Sequence, residues 1–158
     1  MYKHIDKSDP FDTSTTSYWV YFVARDYIPG HAFVMWNSQN NNTGSLRNDH
    51  SFGIYPDLDN NVKILFGTVT GKLIQESSSS LLSADNGIAV KVSKKIYDYT
   101  WSNSENIRKQ VVSYNLFNQS CVDFVDLTAK AIGLKTPDSE GFYNHPQLFI
   151  NRIQEIND

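Results

Sequence analysis

The chain reads as an α+β domain, an antiparallel β-sheet of about five to six strands with helices packed on one side. Two observations predict this. Short runs rich in aromatic and β-branched residues, several with a period of two, occupy residues 17–93, and stretches with apolar positions at helical spacing occupy the remainder. A third observation concerns chemistry. The one cysteine of the chain, Cys121, stands at the first turn of the most regular helical stretch.

Ser17 to Ala24 (SYWVYFVA) is dense in strand formers and too short for a buried helix. Ile28-Pro29-Gly30 turns the chain into a second strand, His31 to Trp36, where His31, Phe33 and Met35 share one face and Ala32, Val34 and Trp36 the other. Asn37 to Asp49 reads as a polar surface loop of the kind that borders sites. His50 to Tyr55 then alternates as a third strand, antiparallel to the second. Val62 to Phe66 and Thr68 to Ile74 are further strand material, broken at Gly67 and Gly71, and Ser77 to Ser80 reads as a linker. Ile88, Val90 and Val92 alternate with Ala89, Lys91 and Ser93 as a half-exposed strand.

Helices follow. Ser102 with Glu105 matches a capping box, and Ile107, Val111 and Tyr114 continue at helical spacing. From Cys121 onward, positions 121, 124, 125, 128, 131 and 132 form one apolar face and Gly133 supplies the stop, with Asn118 or Ser120 as a natural N-cap. Pro146 opens a last helix whose Leu148, Phe149, Ile153 and Ile156 form a stripe.

The chain has 158 residues, 40% hydrophobic and 13% aromatic, enough for one core without demanding two. Residues 1–16 read as a polar N-terminal segment with partial disorder, and residues 17–158 as a single domain. A net charge of −3 leaves no basic footprint, which disfavours nucleic acid and anionic membrane surfaces as partners. No apolar run approaches the roughly 18 to 20 residues of a membrane span, and no Sec signal peptide is recognisable. A lone cysteine excludes an internal disulfide, and His4, His31, His50 and His145 lack metal-ligand spacing, so neither metal nor cofactor is expected.

A helix N-terminus concentrates partial positive charge and unpaired N–H groups, a setting that favours a thiolate nucleophile. Cysteine catalysis also needs a base and donors for the oxyanion. His31, first in an apolar strand just after a Pro-Gly turn, is the best base available. Each has a plainer reading: a strand-end histidine satisfied locally, and a small buried hydrophobe on a helix's core face. If Trp36 pairs near His50, His31 faces Ile54 or Tyr55, while His50 lies roughly 13 to 17 Å away at about 3.3 Å per residue. His50 is therefore not the base. Asp57 is the first choice to orient the imidazole and Tyr55 the second, although 56–61 is also an ordinary polar turn. The oxyanion donors would be the Cys121 backbone N–H and one of Asn118, Gln119 or Tyr114.

These residues resemble a known group. Gly30-His31-Ala32-Phe33-Val34, followed by Tyr114-x-Leu116, Ser120-Cys121-Val122-Asp123-Phe124-Val125, Leu134 and Pro137, is similar to the circularly permuted papain-like superfamily, which includes permuted NlpC/P60 peptidases, lecithin:retinol acyltransferase-like proteins and PPPDE peptidases. Its mark is histidine before cysteine, with the cysteine opening a helix. Ser120 stands where the family often has Asn. Together with Ser51 to Pro56, the pattern looks most like small bacterial type VI secretion effector toxins. The resemblance implies a permuted papain-like fold and a cysteine peptidase or amidase that cleaves peptidoglycan stem peptides. It also implies an immunity protein and a secretion-machinery component as partners, and action in the periplasm of a target bacterium. A plain cytoplasmic protein fits the absence of a leader equally. Two other functions compete: a thiol acyltransferase or lipid hydrolase on the same dyad, and a non-enzymatic binding module in which Cys121 is core and the 37–49 loop carries recognition. A chymotrypsin-like cysteine protease is disfavoured, because its cysteine sits in a Gly-x-Cys-Gly loop between strands.

Overall fold

The computed structural model describes residues 2–25, 30–56, 69–77, 86–110, 112–114, 120–142 and 145–157. Its strands are β1 (Tyr2–Lys7), β2 (Thr16–Arg25), β3 (His31–Asn40), β4 (Leu46–Pro56), β5 (Val69–Gln75), β6 (Asn86–Val92) and β7 (Val112–Tyr114). The helices are α1 (Lys94–Arg108), α2 (Cys121–Ala131) and α3 (Pro146–Ile156). Among the described residues, one open sheet of seven strands runs in the order β1-β6-β2-β3-β4-β5-β7. The α+β class stands, but the sheet is mixed rather than antiparallel, because β1 pairs parallel to β6 while every other described pair is antiparallel.

That parallel strand is part of the N-terminal segment expected to be partly disordered. Its polar composition conceals a working alternation. Ile5 packs against the main core, while Lys3 Nζ donates to the Gln154 carbonyl (2.5 Å) and Lys7 Nζ to the Gly133 carbonyl (2.8 Å). The lysine stems thus cover the sheet margin while their heads bond carbonyls at α3 and just beyond α2. On the other face Tyr2 and His4 meet Tyr21 and Trp19 edge-on.

The helices cover one face of the sheet. Val20, Phe22 and Ala24 of β2, Ala32, Val34 and Trp36 of β3, and Ile88, Val90 and Val92 of β6 are buried there against Phe124, Val125 and Ala129 of α2 and Phe149, Ile150 and Ile153 of α3. With β1 along its margin, β6 is buried on both faces at Ile88, Ala89 and Val90, instead of half-exposed. Trp36 also donates from its indole N–H to Thr100 Oγ1 (3.0 Å), which fastens α1 to the centre of the sheet.

Several boundaries differ from the sequence expectation. Asn37 to Asp49 is mostly strand: β3 runs on to Asn40 and β4 starts at Leu46, so only 41–45 turn. Buried Asn37 stays in the sheet because its side-chain oxygen accepts from Asn48 Nδ2 (2.7 Å). The helix expected from Ser102 begins about two and a half turns earlier, capped by Ser93, and it ends at Arg108, leaving Val112–Tyr114 to form β7. Small polar residues masked that start. Thr100 and Ser104 are buried and bond back to the carbonyls of Ile96 and Thr100, so they occupy the core face without looking apolar. Gly71 does not interrupt β5. The strand expected at Val62 to Phe66 lies outside the described residues.

Among the described residues, no helix is long and apolar enough to cross a membrane.

Candidate active site

The site forms where the sheet splits. Pairing between β3 and β4 stops at Val34 and Phe52, although β3 stays paired to β2 as far as His31 and β4 to β5 as far as Pro56. Into that opening comes the first residue of α2. The Ala32 N–H, which would otherwise continue the ladder, donates to Cys121 Sγ at 3.3 Å.

Local chemistry fixes where α2 begins. Ser120 is extended and caps the helix by accepting from the Val122 N–H (3.2 Å), while Asp123 Oδ2 accepts from the Ser120 N–H (2.7 Å). The Asp123 N–H reaches the Ser120 carbonyl, so the second and third helical N–H groups are engaged. For the Cys121 N–H there is no acceptor among the described residues, which leaves it available for an oxyanion. Phe124, Val125 and Thr128 pin the helix to the sheet behind it.

His31 lies at the start of β3, held by the tight approach of Gly30 to Pro146 of α3, where an added Cβ would come within 2.8 Å of the proline ring. Its Nε2 is 2.9 Å from Glu76 Oε1. With Nε2 committed to the carboxylate, Nδ1 is the nitrogen that can exchange a proton with the thiol. Burial by itself would push the imidazole down. Hydrogen bonds to Cys121 and Glu76, together with the negative charge of both, outweigh that and hold it above its ordinary value of 6.5.

Glu76 follows the last residue of β5, and its N–H bonds the Ser51 carbonyl, which keeps it in register with β4. Its side chain is fully buried. Between Glu76 and His31 lies Gly53. A Cβ there would collide with His31 Nε2 and with Glu76 Oε1 (2.5 Å), so only glycine admits the ion pair. Tyr55 completes the enclosure, its ring centroid 4.2 Å from that of His31 and its hydroxyl 2.9 Å from each Glu76 oxygen. Arg25 Nη2 donates to the Tyr55 hydroxyl (2.7 Å) and lies 3.6 Å from Glu76 Oε2.

The structure therefore brings Cys121, His31 and Tyr55 together and adds Glu76 and Arg25, which sequence reasoning missed. Tyr55 touches His31 through its ring and reaches the carboxylate through its hydroxyl; it does not itself take the imidazole N–H. Asp57, Asn118 and Gln119 lie outside the described residues, as do the side-chain contacts of Tyr114. His31 is buried, 8% exposed. His50 pairs with Trp36, the premise from which His31 was placed opposite Ile54 or Tyr55, and stacks on Trp101 with centroids 3.5 Å apart. A signal for Glu76 was present. Gly53 in the middle of a strand marks a close approach, and the acidic residue two positions past Ile74, its cross-strand partner, projects to the same face.

Cys121 is 2% exposed and lines none of the described cavities. The largest of these, about 520 Å³, lies between α1 and the C-terminal half of α2, where Tyr99, Ile107, Leu127 and Lys130 face it. Among the described residues, no three His, Cys, Asp or Glu side chains are grouped so as to hold a metal ion. No known protein family, curated protein sequence or solved structure matches this chain.

Proposed function

We propose that this chain is a cysteine hydrolase of the amidase or endopeptidase kind, with Cys121 as nucleophile, His31 as general acid and base, and Glu76 orienting His31. The observation that carries the reading is the convergence of three elements on one point: the thiol that opens α2, the imidazole that opens β3, and a fully buried carboxylate bonded to that imidazole.

In the proposed reaction His31 Nδ1 holds the thiol proton, and the Cys121 thiolate adds to the carbonyl carbon of a scissile amide. The Cys121 N–H bonds the resulting oxyanion. Collapse of the tetrahedral intermediate expels the amine, which takes the proton from His31, and leaves a thioester on Sγ. His31 then removes a proton from water as it attacks the thioester, releasing the acid and restoring the thiolate-imidazolium pair. The hydrogen bond between Nε2 and Glu76 presents the same nitrogen to the sulfur throughout.

The resemblance in the His31 and Cys121 stretches extends this proposal to the amide bonds of peptidoglycan stem peptides, with delivery to the periplasm of a target bacterium and an immunity protein as partner. Expression of wild type and Cys121→Ala, each directed to the bacterial periplasm and separately to the cytoplasm, tests it. Lysis with periplasmic wild type alone is the expected result. With purified protein, Cys121→Ala is expected to reduce release of stem-peptide fragments, read by mass, by at least about 10³-fold. Equal lysis by Cys121→Ala would overturn the nucleophile. Products from phospholipids and none from peptidoglycan fragments would overturn the substrate class.

A further inference from the structure

Glu76 makes more contacts than orienting a histidine requires. Both of its oxygens accept from the Tyr55 hydroxyl, and Oε2 also faces Arg25. Arg25 and Glu76 are 8% and 6% exposed, His31 8% and Cys121 2%, so among the described residues four buried ionisable groups share one enclosure with Tyr55. Burying a charge is costly unless an opposite charge accompanies it.

Counting charges shows what Arg25 does. With the dyad neutral, the cluster contains Arg25⁺ and Glu76⁻ and sums to zero. After the proton moves from Cys121 to His31 the sum is still zero. Among the described residues, removing Arg25 would leave the enclosure with an excess negative charge in either state, and the imidazolium as the cation nearest the carboxylate. A carboxylate paired to His31 alone would then hold the imidazolium proton more tightly than a group that must surrender it to a leaving amine can tolerate. The single Tyr55 hydroxyl proton, shared between the two carboxylate oxygens, and the adjacent guanidinium take up part of the carboxylate's accepting capacity.

We propose that Arg25 and Tyr55 are positioning residues that act through Glu76, sharing its charge so that His31 can both hold and release the catalytic proton. This rests on the assignment of His31 as general base. Geometry supports it independently of any substrate. The Arg25 to Tyr55 to Glu76 to His31 chain is continuous at 2.7, 2.9 and 2.9 Å. Arg25 and His31 are also directly opposite one another in the β2–β3 ladder, and the Tyr55 ring packs at a tilt against the imidazole it serves. The titratable or charged side chains facing His31 among the described residues are Arg25 from β2, Tyr55 from β4, Glu76 after β5 and Cys121 from α2. Burial and the neighbouring Glu76 charge raise the Tyr55 phenol far above its ordinary value of 10.0, so it serves as a donor throughout the working pH range.

The test is an NMR titration of the full chain labelled with ¹³C-histidine, the His31 signal being identified among the four histidines by its loss in His31→Gln. Tyr55→Phe keeps the ring and removes the hydroxyl; Arg25→Met removes the charge and keeps an unbranched apolar side chain. Each is expected to move the His31 midpoint to higher pH, because Glu76 then pulls harder on the imidazolium, whereas Glu76→Gln moves it lower. A residue that only supports the fold would leave the midpoint where it is. If Arg25→Met fails to fold, Tyr55→Phe decides alone, and a His31 midpoint unchanged or lowered in Tyr55→Phe overturns the proposal. The readout needs no turnover, so inactivity toward peptidoglycan would count against the proposed substrate class without touching this proposal.

Discussion

His31 Nε2 and Glu76 Oε1 are 2.9 Å apart although 45 residues separate them in the chain, and a Cβ at Gly53 would press on both side chains. The pair unites the start of β3 with the end of β5 across β4. It makes the titration of one histidine a report on the assembly of three strands.

Replacing Glu76 with glutamine therefore has a signed pH dependence. The His31 pKa is raised in the fold, so its contribution to stability is fully present below the unfolded value near 6.5 and is lost as pH rises through the higher folded value. Glu76→Gln should thus forfeit the most stability from the His31 interaction on the acid side, and less in alkali. Urea unfolding of both proteins on either side of the His31 titration checks this. Catalysis should fall by roughly 10²- to 10⁴-fold, since the imidazole loses its orienting partner.

Gly53→Ala tests the close approach directly. The added methyl must displace either His31 or Glu76, both of which are buried. A loss of about 1–3 kcal/mol in urea unfolding is expected from overpacking, with hydrolysis reduced well beyond what the remaining folded fraction explains. An alanine variant with wild-type turnover would contradict the geometry given for the pair.

His50→Ala should do the reverse. His50 is paired with Trp36, five residues along β3 from His31, and stacks on Trp101. Truncating it should cost about 0.5–1.5 kcal/mol through the lost ring contact and leave turnover unchanged under conditions where the protein remains folded. Burial, the largest influence on its imidazole, lowers the pKa, which keeps that ring uncharged above neutrality and suits a packing role.

Much of the site was legible in the order of residues. A run dense in strand formers located β2, alternation located β3, the placing of Tyr55 near His31 followed from hairpin arithmetic, and Ser120 before an apolar helical face located the start of α2. Where polar residues are used inside, the pattern misleads. The lysines of β1, Asn37 in β3, and Thr100 and Ser104 in α1 are polar in sequence and structural in place, because each finds a hydrogen-bond partner that sequence periodicity does not encode.

By itself, the amino-acid sequence determined the α+β class, the strand that begins at His31 and the helix that begins at Cys121, since these depend on local propensity, capping and alternation. Only the tertiary structure decided that Glu76 takes the histidine N–H, that Arg25 and Tyr55 stand behind it, and that the Ala32 N–H meets the sulfur where β3 leaves β4. The reason is physical. A buried carboxylate is tolerated wherever enough donors converge on it, and convergence is a property of strand order and register, which bring together residues 25, 31, 55, 76 and 121 that share no local pattern.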